Sequence, residues 1–308
     1  MTTTLPTRVH IREVGPRDGF QNEPEHIPTA AKISLINALG RSGLKRLEVA
    51  SFVRADVIPQ LADAGEVLTG IEVPDDVSLL VLIPNSKGLN SSLAYRQHFH
   101  EVGIFVSGSE THNKKNVNRT IADTMADNVV MAKRITAEGL RCGAVIATSF
   151  GCPFEGKVDM DRVLDLAEQF AAMGASEVGF GDTTGMCNPA YAGDFFAAAI
   201  ERLPGVEVTA HFHNTRGQGL ANAYAALAAG CDSFESSFGE LGGCPVPKGS
   251  TGNIATEDLV GMFHEMGVAT GVDLPQLIAA AREAQQTLGR QLTSHSIIAG
   301  PVVWNTAG

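Results

Sequence analysis

Basic residues are in short supply in this sequence. Across 308 residues, 23 Lys and Arg face 34 Asp and Glu, a formal net charge of −11. Phosphate backbones are bound by clustered Lys and Arg, so nucleic acid is a poor partner for such a chain. The same shortage removes the basic amphipathic helix that lies on an anionic membrane surface. No apolar run approaches the ~18 residues that a membrane-spanning helix needs. Cysteine is also sparse: five residues, at 142, 152, 187, 231 and 244, irregularly spaced and without a CxxC pair. That argues against a disulfide framework and fits a reducing compartment. Residues 1–8 are short and polar, without the apolar centre of a secretory signal, so a cytoplasmic location is expected.

Apolar residues make up 44% of the chain, ample for a full core, and they come in alternating patterns. β-rich runs fall near 9–15, 46–52, 77–83, 102–107, 141–149, 177–182, 207–213 and 233–238. Helical patterns lie between them, among them 30–41, 120–138, 159–173 and 220–229. Strands alternating with helices argue for βαβ units and a parallel sheet. Eight such units in about 250 residues is the arithmetic of a (β/α)8 TIM barrel; a doubly wound sheet is the alternative. Two more helical stretches, near 256–266 and 274–288, read as a C-terminal helical extension packed on the barrel. The whole chain, 1–308, is expected to be one barrel domain, with about 270–308 as the extension.

In a TIM barrel the chemistry sits at the C-terminal strand ends, and reactive residues collect there in this sequence. The first strand runs into Glu13-Val14-Gly15-Pro16-Arg17-Asp18, a guanidinium beside a carboxylate. Glu48 lies inside the apolar second strand. Simple alternation puts Leu47, Val49 and Ser51 on one face and Glu48 with Ala50 on the other, and a buried Glu demands a partner. The seventh strand ends in Thr209-Ala210-His211-Phe212-His213. Its two histidines share a face, a natural metal platform, while Phe212 points toward the helices. The competing readings are a surface ion pair, a salt bridge inside the barrel and a satisfied core histidine. Two imidazoles on one face at a late strand end favour ligands. Asp182 closes the sixth strand as a mouth carboxylate or an Asx turn. After the eighth strand, the Gly- and Pro-rich stretch 239–253 carries Cys244 and Asn253, the kind of loop that often has a function.

Asp18, His211, His213 and Asn253 together offer two oxygens and two imidazole nitrogens. Oxygen donors favour Mg2+ or Mn2+, and the imidazoles keep Zn2+ and Co2+ open. A cation with two open positions would chelate a hydroxyl and a carboxylate of one substrate and lower the hydroxyl pKa for carbon–carbon cleavage. Arg17 would then stabilise an enolate oxygen and Cys244 would return a proton to carbon. Glu48 and Glu13 would orient Arg17 or a ligand from behind.

At these residues the chain resembles 3-hydroxy-3-methylglutaryl-CoA lyase. The resemblance rests on Glu-Val-Gly-Pro-Arg-Asp-Gly-Phe-Gln-Asn-Glu (13–23), Lys-Lys-Asn-Val-Asn (114–118) and Gly-Cys-Pro-Phe-Glu-Gly-Lys-Val (151–158). It continues in His-Phe-His-Asn-Thr-Arg-Gly-Gln-Gly-Leu-Ala-Asn (211–222), Leu-Gly-Gly-Cys-Pro (241–245) and Gly-Asn-Ile-Ala-Thr-Glu-Asp-Leu-Val (252–260), in family order from about residue 8 to about 290. The wider metallolyase superfamily also holds isopropylmalate and homocitrate synthases. The Cys-bearing loop and the absence of a synthase-type regulatory domain point to the lyase branch.

The resemblance implies a pyruvate carboxyltransferase-like TIM barrel acting on an acyl-CoA, with Mg2+ or Mn2+ held by Asp18, His211, His213 and Asn253. It implies Arg17 as enolate stabiliser, Cys244 as catalytic thiol, His211 as proton shuttle, Glu48 in support, and a homodimer. Gln21, Ser51 and Arg216 are expected to touch substrate. The chain departs from the family pattern at Pro24 (for Lys), Gly179 (for Ser), Asn214 (for Asp), Arg216 (for Tyr) and Glu240 (for a small residue). None of these removes an expected ligand, but all lie near the mouth and bear on which acyl group is taken. The basic cluster Lys114, Lys115 and Arg119 is a candidate for the nucleotide end of CoA, or ordinary surface. Rival readings are a citramalyl-CoA lyase, a Claisen-type synthase and a non-catalytic metal-binding barrel.

Overall fold

A computed structural model of the chain describes residues 5–243 and 252–304. Its frame is eight parallel strands: β1 (His10–Glu13), β2 (Arg46–Ser51), β3 (Ser78–Leu82), β4 (Glu101–Ser107), β5 (Arg141–Ala147), β8 (Glu177–Asp182), β9 (Glu207–Phe212) and β10 (Ser233–Ser236). They close in the order β1-β10-β9-β8-β5-β4-β3-β2. Between β5 and β8 a small antiparallel ribbon, β6 (Gly151–Cys152) with β7 (Gly156–Lys157), was not foreseen. All eight expected strands are present, most of them shorter than their sequence runs. The first stops at Glu13 because the backbone turns into a helical coil at Gly15.

Helices alternate with the strands: α1 (Thr29–Arg41), α2 (Ala64–Gly70), α3 (Ser86–Ser92), α4 (Glu110–Val117), α5 (Ile121–Ala137), α6 (Met160–Ala172), α7 (Pro189–Arg202), α8 (Gly219–Ala228) and α9 (Thr256–Glu265). Their starts are written in the sequence. Thr120, Asp159 and Asn188 each accept a backbone N–H of the first turn, from Asp123, Arg162 and Tyr191 respectively, and such caps add about 1 kcal/mol apiece. In α6 the residues Val163, Leu164, Ala167 and Phe170 turn inward at helical spacing. Helix α9 is the first α-helix after β10 among the described residues and, since α4 and α5 both follow β4, completes the eighth βα unit, so the stretch near 256–266 belongs to the barrel and not to the extension. What lies beyond is α10 (Leu274–Leu288), packed on α1, and α11 (His295–Ala299). Among the described residues no helix is long and apolar enough to cross a membrane.

Charge fills part of the barrel interior. Arg12 sends a two-pronged contact to Glu177 (2.7 and 2.8 Å) and single contacts to Glu101 (2.8 Å) and Glu235 (3.1 Å). Arg46 bonds Glu177 and Glu207 beside it. Burial opposes ionisation of Glu177, but Arg12 and Arg46 outweigh it and hold the carboxyl down at about 2. Removing one partner from such a buried set is costly, since it strands an uncompensated charge.

Outside the strands, an aromatic layer joins β8 and β9 to α7. Phe212 stacks on Phe150 (centroids 5.7 Å) and meets Phe196 edge-on (5.8 Å), and Phe180 meets Phe195 at 4.9 Å. Phe212 thus locks the strand from its outer face while His211 and His213 face inward. Phe212→Ala should lower the unfolding free energy in urea by about 3–5 kcal/mol. A loss under about 1.5 kcal/mol would mean that the outer layer does not hold β9.

Candidate metal centre

After β1 the backbone winds into a single π-helical turn, Gly15–Gly19, with Pro16 at its start. Proline has no N–H to leave unpaired there. The amides of Arg17 and Asp18 both bond Val14 O, at 3.1 and 2.7 Å. Such turns recur at functional sites, and this one brings Arg17 and Asp18 over the mouth. Across the barrel, β9 delivers His211 and His213. Ligand atoms of Asp18, His211 and His213 all lie within 4.8 Å of one another. The facing Nε2 atoms of the two imidazoles are 3.2 Å apart.

Asn253 joins them from the other side of residues 244–251. Its backbone bridges His213, and its Nδ2 donates to Asp18 Oδ2 at 2.8 Å. Asn253 Oδ1 is buried and accepts no hydrogen bond among the described residues. An orphaned buried acceptor calls for a partner such as an ion. One carboxylate, two imidazoles and this amide oxygen form a donor set that fits a divalent cation.

The electrostatics favour that role. Burial resists ionisation of Asp18, yet Arg17 and the two imidazoles overcome it and hold the carboxyl below its ordinary value. His211 Nδ1 lies 2.9 Å from Glu235 Oε2. A proton on Nδ1, donated to that carboxylate, leaves Nε2 with its lone pair toward the site. Burial pulls the His211 pKa down, and the hydrogen bond to Glu235 more than restores it.

Arg17 is fixed by two carboxylates: its Nε donates to Glu48 Oε1 at 2.5 Å and its Nη1 to Asp18 Oδ1 at 2.8 Å. Burial pushes the Glu48 pKa up, against the pull of Arg17. A register shift between Glu48 and Ala50 interrupts β2, so strict alternation does not carry across that strand. Ser51 donates to Leu82 O at 2.8 Å and Gln21 donates to Asp18 Oδ1 at 2.8 Å. Gln21 therefore touches the cluster, and Ser51 is engaged by the neighbouring strand. Arg216 stands apart: it is exposed and its Nη1 donates to Thr184 O and Gly185 O, at 2.9 and 2.7 Å, clamping the turn after β8. Cys244 lies outside the described residues.

Two carboxylates flagged near the mouth brace loops. Asp182 Oδ1 accepts Met186 N and Cys187 N (2.8 and 3.1 Å), the Asx-type turn, and burial raises its carboxyl to about 7. Glu13 does not orient Arg17. It accepts Gly15 N, Phe238 N and Thr256 Oγ1, tying β1 to the segment after β10. The barrel interior also holds buried charges that the sequence reading does not single out: Arg12, Arg46, Glu101, Glu177 and Glu235. The signal is weaker than at Glu48: Arg12 sits between Ile11 and Glu13, and Glu235 between Phe234 and Ser236, so neither is a lone charge between two apolar residues.

A closed parallel barrel with a candidate metal cluster at its mouth, flanked by an anchored arginine, defines a TIM-barrel enzyme site. The HMGL-like family model matches residues 8–283. Hydroxymethylglutaryl-CoA lyase of Bacillus subtilis is 41% identical over 95% of this chain and 97% of its own. (R)-citramalyl-CoA lyase of Chloroflexus aurantiacus is 39% identical over 96% and 95%. Among solved structures, an HMG-CoA lyase from Acinetobacter baumannii in complex with coenzyme A and 3-methylmalate superposes with a TM-score of 0.92 at 38% identity, covering 99% of this chain and 98% of that one. The chain belongs to the HMGL-like family, and these relatives make it a carbon–carbon lyase.

Burial also pushes the Glu13 carboxyl to about 7 and the Glu257 carboxyl to about 8. Glu257 accepts Gly239 N at 3.0 Å in the same turn. Both pKa values are raised on folding, so the folded chain binds the extra protons. Their contribution is full below the ordinary carboxylate range near 4.5 and is lost as pH rises through about 7 to 8. Glu257→Gln keeps an acceptor for Gly239 without the charge. Relative to the parent chain it should gain on the order of 3–4 kcal/mol of unfolding stability between pH 5 and pH 8.5. A difference that stays flat with pH would refute buried, protonated carboxyls at this turn.

Proposed function

We propose that the chain cleaves a 3-hydroxyacyl-CoA, with 3-hydroxy-3-methylglutaryl-CoA as its substrate, to acetyl-CoA and acetoacetate. In this reading Mg2+ or Mn2+ is held by Asp18, His211, His213 and Asn253. The observation that carries it is the convergence of Asp18, His211 and His213 ligand atoms beside Arg17. A divalent cation bound there lowers the pKa of a hydroxyl and polarises a carbonyl next to it. The chain's own groups do the rest. As the C2–C3 bond breaks, the 3-hydroxyl proton passes to a water at the mouth; His211, with Nδ1–H on Glu235 and Nε2 turned to the cation site, orients the reacting group and does not itself accept that proton. The bonding pair passes to the thioester as an enolate. Arg17, pinned by Glu48 and Asp18, presents its guanidinium to that oxygen without having to reorganise. Cys244 returns a proton to C2. A homodimer is part of the same reading.

A second substrate has specific support. The citramalyl-CoA lyase relative is almost as similar as the first. Its substrate carries the same 3-hydroxyl, with the carboxylate one carbon closer, and would give acetyl-CoA and pyruvate.

The test is a panel containing both thioesters, given to Mn2+-loaded and EDTA-treated protein, with products read by mass spectrometry. Acetyl-CoA and acetoacetate should form only with metal. Arg17→Gln should lower kcat by about 10²–10³-fold in a folded protein, and Cys244→Ala should lose most activity. Pyruvate as the dominant keto acid would move the substrate to the second reading. If no thioester is cleaved by loaded protein, the lyase reading of this site fails.

A further inference from the structure

Two residues beside the metal centre answer each other chemically. Asn214 directly follows His213, and every polar group it carries is engaged. Its N–H donates to Gly252 O at 3.0 Å and its carbonyl accepts Gly217 N at 2.8 Å. Its Oδ1 accepts Gly219 N at 3.3 Å, and its Nδ2 donates to Glu240 Oε1 at 2.6 Å. One side chain and its peptide thus join the end of β9 to α8, to residue 240 and to residue 252.

Those last two segments wall the site. Gly252 lies so close to the chain at 240–241 that an added Cβ would sit 2.1 Å from Glu240 O. A Cβ on Gly242 would fall 2.7 Å from Asn253 Nδ2 and 3.5 Å from Asp18 Oδ2. Asn253 Nδ2 also donates to Leu241 O at 3.2 Å. The position of residues 240–242 therefore decides where the Asn253 amide and the Asp18 carboxylate stand.

Glu240 holds φ at +62°, a conformation that glycine adopts freely and other residues rarely. A glutamate in that conformation needs compensation, and the charge-assisted bond to Asn214 supplies it. The bond also constrains what residue 214 can be. An amide donates to the carboxylate; a second carboxylate at that distance would repel it.

We propose that Asn214 and Glu240 act as a positioning pair, holding residues 240–242 and 252–253 against the end of β9 so that Asn253 and Asp18 keep their ligand geometry. This rests on the metal reading of the site. Neither residue need touch substrate.

The test is a charge cycle: Asn214→Asp, Glu240→Gln and the two combined. Three readouts are hydrogen exchange at residues 238–243 and 252–255, Mn2+ affinity by equilibrium dialysis, and kcat/KM for the cleaved thioester. Asn214→Asp alone should speed exchange in both segments at least tenfold and weaken Mn2+ binding about tenfold. It should also lower kcat/KM by about 10–100-fold. Combining it with Glu240→Gln, whose amide can donate to the introduced carboxylate, should restore all three to within about threefold. Unchanged exchange in Asn214→Asp would overturn the tether. Faster exchange with unaltered Mn2+ affinity would overturn the positioning role, and so would failure of the double variant to recover. Absence of Mn2+ binding in the parent protein would instead fell the metal reading, and this proposal with it, whatever the exchange data.

Discussion

The contact between Glu235 and His211 is where the interior of the barrel becomes a functional site. On one side Glu235 is held by Arg12, which also anchors Glu177 and Glu101. On the other it fixes the imidazole of His211. Closure of the barrel makes this possible: β10 lies between β1 and β9, with Glu235 in register with Arg12 on one side and His211 on the other. A buried carboxylate is expensive on its own and tolerable between a guanidinium and an imidazole. Without Arg12 the carboxylate would have no cationic anchor below it. Without Glu235 the imidazole would have no reason to keep its lone pair toward the mouth.

Strands and loops share the work unequally. The strand-borne imidazoles are locked from behind by Phe212 and its aromatic neighbours, while Asp18, Arg17 and Asn253 come from irregular backbone. Irregular backbone near a site must be tied down by specific bonds, and here it is. Glu13 and Glu257 brace the Gly239 turn, Asp182 and Arg216 hold the turn after β8, and Asn214 ties residues 240 and 252. Burial raises Glu13 and Glu257, which have no cation beside them, toward neutrality, and at Asp182 it outweighs the pull of His211 and Arg216.

Much of this was legible in the sequence, for physical reasons. Alternating periodicities gave the barrel, and the single-residue spacing of His211 and His213 put both on one face because a strand alternates. That Glu48 needs a partner followed from the cost of a lone buried charge, and in the structure Arg17 is that partner. Arg12 and Glu235 answer the same cost with each other across β1 and β10, a pairing that only closure of the barrel brings about. The register shift in β2 was not legible, since an extra residue leaves no mark in composition. Arg216 reads as a substrate contact because it departs from the family pattern near the mouth; that its guanidinium also bonds two carbonyls of the turn after β8 needed coordinates. The pairing of Asn214 with Glu240, 26 residues apart, needed coordinates.

The account's central claim is a single cation between the first and seventh barrel strands. Anomalous diffraction from crystals grown with Mn2+ tests it most directly. One peak is expected within about 2.0–2.3 Å of a carboxylate oxygen of Asp18, His211 Nε2 and a ring nitrogen of His213, with Glu235 still bonded to His211 Nδ1. A peak elsewhere, or none with the two imidazoles turned apart, would contradict it.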